Sequence, residues 1–186
     1  KHIQNNYNGQ YITNAWLKVY ELVNSFKLLD NIEGDKIRHF DNCAFPGSFI
    51  LAINHYIKTN EKLENKEYDW VASSLLNESV LQDNYGLYTN YYEKWLMNDD
   101  NDGNVISFNN QVNWGEYFKK NGRVDLYTSD VGMEVGSGGY EEKELDHLSV
   151  NIGQILTGLL SLKKGGSLIT KQYSFFETLN ITALAI

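Results

Sequence analysis

Asp130 and Lys171 stand at the ends of two apolar runs, Val124–Ser129 and Ser167–Thr170, with one long helical segment between them. Upstream of both, Cys43-Ala44-Phe45-Pro46-Gly47-Ser48-Phe49 reads as a tight strand-to-helix turn. An acid and an amine at the carboxyl ends of neighbouring strands occupy the edge where open α/β sheets bind ligands. A strand that ends in small residues and turns through Gly into a helix brings backbone N–H groups close to a bound anion. Pro sets such a turn, and Gly lets the backbone approach the ligand. Lys18, on the first helical segment, supplies a second amine. Singly, these features are ordinary. Lys18 reads as a solvated helix lysine, Asp130 as a turn cap and Lys171 as an edge-strand charge. The Pro-Gly turn lacks G-x-G-x-x-G spacing. Their joint placement is what points to a site.

The elements that must position these residues alternate. Thr13 or Asn14 caps a helix expected to run through Leu29, with Trp16, Val19, Tyr20, Val23 and Phe26 at helical spacing. Ile37–Asn42 reads as a strand, Ser48–Lys58 as the helix after it, and Tyr68–Ser73 as a second strand ending in Ser73-Ser74. The stretch Asn77–Gly103 is the least legible, with one amphipathic helix expected around Tyr91–Met97. Val105-Ile106 suggests a short third strand, Asn110–Lys120 a helix and Val124–Ser129 a fourth strand. Gly132–Gly139 reads as a flexible loop. Glu141–Leu162 is the clearest helix, with Leu145, Leu148, Ile152, Ile155, Leu156 and Leu159 on one face. Ser167–Lys171 is the fifth strand, and Ser174–Ile186 looks helical again. Strands alternating with helices of this length imply βαβ units: an α/β fold with a mainly parallel sheet and helices on both faces.

Composition bounds the reading. At 186 residues, 42% hydrophobic and 22% charged, this is one globular domain's worth of chain. Residues 1–12 read as a polar arm and 13–186 as the domain; the apolar ending Ile181–Ile186 reads as a helix cut before whatever follows. No apolar run approaches the roughly 18 residues of a membrane span, and the first residues have no signal-peptide core. The expected location is cytoplasmic, in a host cytoplasm or a virion if the source is viral. Cys43 alone excludes a disulfide framework. His2, His39, His55 and His147 show no metal spacing, so no metal is expected. A net charge of −8, with Arg38 and Arg123 the only arginines, argues against a surface that coats nucleic acid. It leaves room for a local basic groove.

Phe40-Asp41-Asn42-Cys43-Ala44-Phe45-Pro46-Gly47-Ser48-Phe49 resembles the D-x-x-x-x-P-G-G-F turn with which FtsJ/RrmJ-like ribose 2′-O-methyltransferases bind S-adenosylmethionine. Thr128-Ser129-Asp130-Val131-Gly132 resembles that family's S-D-x-G strand end. Lys163-Lys164-Gly165-Gly166-Ser167-Leu168-Ile169-Thr170-Lys171 resembles its K-x-G-G strand, and Asn14–Leu22 its first helix. The likeness spans Thr13 to about Lys171, and its general flavour is that of cap-type enzymes of large DNA viruses. It implies a Rossmann-like methyltransferase sheet whose last strands lie outside this chain. It also implies a Lys-Asp-Lys-Glu tetrad in which Lys18, Asp130 and Lys171 are the first three members. The final Glu is expected beyond Ile186, and Glu177 is expected to be a surface residue.

The cofactor set implied by the resemblance is Asp41, Asn42, Ala44, Phe45, Pro46, Gly47, Ser48, Phe49, Ser73 and Asp130, with Asp102 or Asn104 near the adenine. Ser48 stands where the family has its second Gly, and Phe45 where it has a small residue. The implied partner is RNA, with the capped 5′ end of mRNA as the expected substrate and a protein partner or further domain beside it. Methyl transfer needs the 2′-oxygen in line with the sulfonium methyl, so positioning provides much of the rate. A lysine can take the hydroxyl proton only if neutral, which desolvation or a second cation favours. Lys171 is therefore the expected base, Lys18 the second cation and Asp130 the orienter. Tyr85, Tyr88, Tyr91, Tyr92 and Trp95 could stack a base or simply pack. The alternative to an enzyme is a silent methyltransferase-like domain that binds a partner or contributes structure.

Overall fold

The computed structural model describes residues 8–75, 82–97, 101–132, 144, 147–172 and 178–185. Its elements are α1 (Asn14–Phe26), β1 (Lys36–Asn42), α2 (Ser48–Thr59), β2 (Glu67–Ser73) and α3 (Leu87–Asn90). A 3-10 turn at Tyr92–Lys94 follows, then α4 (Phe108–Asn121), β3 (Val124–Ser129), α5 (Leu148–Ser161), β4 (Leu162–Thr170) and α6 (Thr178–Leu184). The strands are parallel and ordered β2-β1-β3-β4. The chain steps outward from β1 to β2 and then returns to the other side of β1. The connections on the two sides therefore cover opposite faces, leaving a crevice at the carboxyl ends of β1 and β3.

Strand alternation sorts the core into two layers. Ile37 and Leu126 face α1 and α2, where Trp16, Val19, Val23, Ile53 and Ile57 close over them. Phe40 and Tyr127 face the other way, against Trp114 and Phe118 of α4, with Phe40 and Phe118 ring centroids 4.9 Å apart. Every residue of β3 is buried, as befits the inner strand of a parallel sheet covered on both sides. The α/β fold with helices on both faces is the one expected.

Several expected elements differ. Helix α1 stops at Phe26 rather than Leu29, because Lys27 turns left-handed (φ 52°) and its N–H closes on Val23 O. Phe26 is consequently 69% exposed instead of facing inward. No helix spans Tyr91–Met97. Trp95 bridges to Ala72, and Leu96 N–H donates to Ala72 O at 2.7 Å, so this segment extends the open side of β2. Val105-Ile106 is a turn, not a strand. The Asp102 and Asn104 side chains accept the N–H groups of Asn104 and Ile106, offering the backbone a local alternative to pairing. Strand β4 starts at Leu162 and bulges before its register resumes at Ser167. Residues 133–139 of the expected loop, 141–143 and 145–146 of the expected long helix, and 173–177 lie outside the described residues.

The largest departure is the orientation of α5. Its Leu and Ile stripe faces outward: Leu148, Ile152, Ile155, Leu156 and Leu159 line an apolar groove with Leu179 of α6. The buried side instead carries Gly153, Gln154, Thr157, Gly158 and Ser161. Close approach explains the choice. A Cβ at Gly158 would stand 2.5 Å from Leu168 Cδ1 and 2.9 Å from Tyr127 Cδ1, so only small residues fit against the sheet. Gly158→Val should therefore destabilise the fold by roughly 1–3 kcal/mol, read as a lower midpoint in a urea melt. An unchanged midpoint would contradict the packing.

Candidate active site

The β1–α2 turn is built to present backbone. Cys43 takes a left-handed conformation (φ 61°), Ala44 N–H donates to Ser73 O at 3.0 Å, and Gly47 N–H closes on Ala44 O at 2.6 Å. The Ala44 bond ties the turn to the end of β2, and the Gly47 bond closes the turn on itself. Gly47 sits at φ 109° as the N-cap of α2, where no side chain caps the helix. The first-turn amides thus keep the partial positive charge that favours an anion. A Cβ at Gly47 would also collide with Leu87 Cδ1 at 2.3 Å, so the residue serves packing as well. Phe45 turns into an aromatic cluster, its ring 5.8 Å from Trp95 and 6.4 Å from Tyr88. Phe49 lies in the core against the α1 cluster, which leaves only its backbone for a ligand. Ser48 Oγ accepts from Thr13 Oγ1 at 3.1 Å and lies 3.2 Å from Tyr85 Oη, joining the starts of α1 and α2.

The strand ends carry buried oxygens that look for donors. Asp41 accepts a 2.6 Å hydrogen bond from Thr128 Oγ1, while its Oδ2 is buried and lacks a hydrogen-bond partner among the described residues. Ser73 Oγ on the adjoining strand is in the same condition. Burial pushes the Asp41 carboxyl up to about 8; the Thr128 bond opposes the shift and Asp130 adds to it. Asn42 is occupied on the α4 side, donating to Tyr127 Oη at 3.2 Å. Asn101–Asn104 is held against the end of β2: a Cβ at Gly103 would lie 1.8 Å from Ser74 O. There the Asp102 carboxylate accepts from Asn110 Nδ2 at 2.7 Å. Burial pushes the Cys43 thiol up to about 12, so it stays protonated and unreactive.

Asp130 and Lys171 are brought together. Lys171 Nζ lies 2.7 Å from Asp130 Oδ1, and Lys171 N–H donates to Ser129 O at 3.0 Å, extending the β3–β4 ladder past both strand ends. The pair is about a quarter to a third exposed, so it faces the crevice. By alternation Asp41, Thr128 and Ile169 point toward α1, and the pair follows β3 and β4 on that side. Lys18 lies on α1, whose first turn is anchored at the same edge through Thr13 and Ser48. Helical side chains tilt toward the N-terminus, which directs Lys18 back to that edge. Yet Lys18 is exposed and, among the described residues, forms no ion pair or hydrogen bond. Direct contact thus joins Asp130 and Lys171 but not Lys18.

Of the aromatic set, Trp95 is 4% exposed and belongs to the core, and Tyr88 is partly buried against it. Tyr91 and Tyr92 are exposed, and Tyr85 stacks on Tyr11 at 4.7 Å. The cleft lined by Arg38, Asp69, Tyr117 and Asn121 lies toward the opposite ends of the strands and holds none of these groups. Thr128 was not among the expected site residues. Its signal was a polar side chain inside a run otherwise read as core.

Residues 11–185 match the FtsJ-like methyltransferase family. The chain is 37% identical over 198 residues to a probable methyltransferase, EP424R, of African swine fever virus, covering 100% of this chain and 45% of that one. To the uncharacterized protein L511 of Acanthamoeba polyphaga mimivirus it is 33% identical over 189 residues, with 98% and 23% covered. Cap-specific mRNA (nucleoside-2′-O-)-methyltransferase 2 of Mus musculus is 26% identical over 191 residues, with 98% and 24% covered. The chain thus spans less than half the length of these relatives. It belongs to the FtsJ-like methyltransferase family.

Proposed function

We propose that this domain transfers a methyl group from S-adenosylmethionine to a ribose 2′-hydroxyl of RNA, the ribose beside an mRNA cap being the substrate the relatives favour. The observation that carries the reading is the 2.7 Å Lys171–Asp130 pair at the same sheet edge as the start of α2 and an Asp41 Oδ2 that has no hydrogen-bond partner among the described residues. Those groups suit the cofactor's amino-acid end: helix amides for its carboxylate, Asp41 for its ammonium. Ala44, Pro46, Gly47 and Ser48 would lie along it, with Ser73 and the Asp102–Asn104 loop toward the nucleoside. Asn42, Phe45 and Phe49 would contribute backbone alone. The cofactor supplies an electrophilic methyl on sulfur.

The protein's part is proton handling and alignment. The 2′-oxygen gains the methyl as the C–S bond breaks, and its proton passes to Lys171 Nζ. An ion-paired lysine must first lose a proton, which nearby cations promote. Lys18 and the sulfonium are the cations proposed for that task, and Asp130 would hold Lys171 in line and receive it again once charged. A second reading, a silent domain that binds a partner, is favoured by the absence of direct contact between Lys18 and the pair. Calorimetry of the full-length protein with S-adenosylmethionine, followed by labelled-methyl transfer to capped RNA, separates the two. Binding with transfer is expected; binding without transfer would support the silent domain.

A further inference from the structure

Beneath this edge, between the sheet and the α1–α2 layer, four polar side chains form a line that the methyl-transfer step does not use. Tyr68 Oη lies 2.7 Å from His39 Nδ1, His39 Nε2 lies 2.7 Å from Thr128 Oγ1, and Thr128 Oγ1 lies 2.6 Å from Asp41 Oδ1. His39 and Thr128 are completely buried and Asp41 is 2% exposed. The line crosses three strands, β2, β1 and β3, and ends on the carboxyl group at the ligand edge.

Counting protons gives the line a direction. Burial holds the His39 ring neutral, its pKa near 3, so it has one N–H to give. Burial favours the protonated carboxyl without ligand; beside the cofactor's ammonium group Asp41 would be ionised and could only accept, so the single Thr128 proton then goes to Asp41 Oδ1. The Thr128 oxygen then accepts from His39 Nε2–H, and His39 Nδ1 accepts from Tyr68 Oη–H. Every donor in the chain is thereby aimed at the carboxylate. Hydrogen bonds in such a series polarise one another, most strongly in a dry interior. One carboxylate oxygen is fixed by the series, and the other, Oδ2, is left without a partner among the described residues.

We propose that His39 is a positioning residue: through Thr128 it fixes the Asp41 carboxylate so that Oδ2 receives the ammonium group of the cofactor's amino-acid end. Apolar packing would not need this arrangement. A leucine at His39 would fill the same core, whereas an imidazole with one donor and one acceptor is what a one-way series requires. The inference rests on the cofactor reading above and adds that a side chain remote from the ligand sets its affinity.

The test compares two ligands by calorimetry on the full-length protein. S-adenosylhomocysteine carries the ammonium group; 5′-methylthioadenosine shares the nucleoside and thioether but lacks it. In Thr128→Val, affinity for S-adenosylhomocysteine should fall roughly ten- to a hundredfold, the range expected for a hydrogen bond to a charged group. Affinity for methylthioadenosine should stay within about threefold, a change well under one hydrogen bond. Thr128→Ser should restore the first affinity, and His39→Leu should reproduce the loss. Should Thr128→Val fail to fold, Tyr68→Phe removes the far end of the series and should show a smaller loss with the same ligand preference. Equal losses for both ligands, or no loss for either, would overturn the positioning role. If the unmodified protein binds neither ligand, the cofactor reading falls and takes this inference with it.

Discussion

Lys171→Ala should lower methyl transfer by about a hundred- to ten-thousandfold, the range of a lost general base, while affinity for S-adenosylmethionine should change by less than about threefold. The separation follows from position. Lys171 pairs with Asp130 at the ends of β3 and β4, whereas the proposed cofactor-holding groups belong to β1, β2 and the start of α2. Lys171→Arg sharpens the expectation. A guanidinium can keep the bond to Asp130 but cannot be deprotonated in a protein, so activity should be lost with the ion pair intact. Rapid transfer by the Arg variant would remove Lys171 from the base role. Lys18→Ala should also reduce turnover, most at the lower end of the pH range, where a cation that helps Lys171 shed its proton matters most.

Asp41→Asn should abolish measurable cofactor binding, a loss of about a hundredfold or more for a buried charge-assisted contact. The same variant should change how stability depends on pH. Burial holds the Asp41 carboxyl near 8 in the folded protein, against about 3.9 in an unfolded chain. Between these values the folded state keeps a proton that the unfolded state releases, so stability falls as pH rises through the window. Replacing the carboxyl with an amide removes that slope. The groups acting on Asp41 are Thr128 of β3 and Asp130 just past its end; Asp41 in turn raises the Tyr68 hydroxyl and the Cys43 thiol. His39 acts with the opposite sign over an overlapping window: its folded pKa near 3 means that stability is lost as pH falls below about 6.5, so the two slopes offset each other below that value and the Asp41 slope stands alone up to about 8. Denaturant midpoints between pH 4 and 9 read both slopes. A wild-type slope identical to that of Asp41→Asn would contradict a carboxyl raised by burial.

Much of this arrangement was legible from residue order. The strand around Leu126 announced itself as an apolar run, those around Phe40 and Trp70 as mixed stretches closed by turn or small residues, and the Pro46-Gly47 turn marked the edge they share. Periodicity failed where packing overrode it. The Leu and Ile stripe of α5 has the spacing of a core face, but Gly158 and Thr157 are what the sheet accepts at contact distance. Trp95 carried a helical signal, yet its ring was needed against Trp70 and Leu87 and its backbone against Ala72. His39 and Thr128 were invisible for another reason. Each is one polar residue among several in its strand, and only the parallel register that sets Asp41 beside Thr128 shows them to be one chain of hydrogen bonds. Lys18 was legible only as a lysine of the first helix: that helix starts at the site edge, and the structure shows no contact between Lys18 and the pair among the described residues.

The most direct measurement is the position of the transferred methyl. Full-length protein, capped RNA and methyl-labelled S-adenosylmethionine are incubated together, and the RNA is digested to nucleosides and resolved by mass. The label is expected on a ribose 2′-oxygen, and it should vanish with Lys171→Ala. Label on a base or on protein, or undiminished ribose methylation by the alanine variant, would contradict the account.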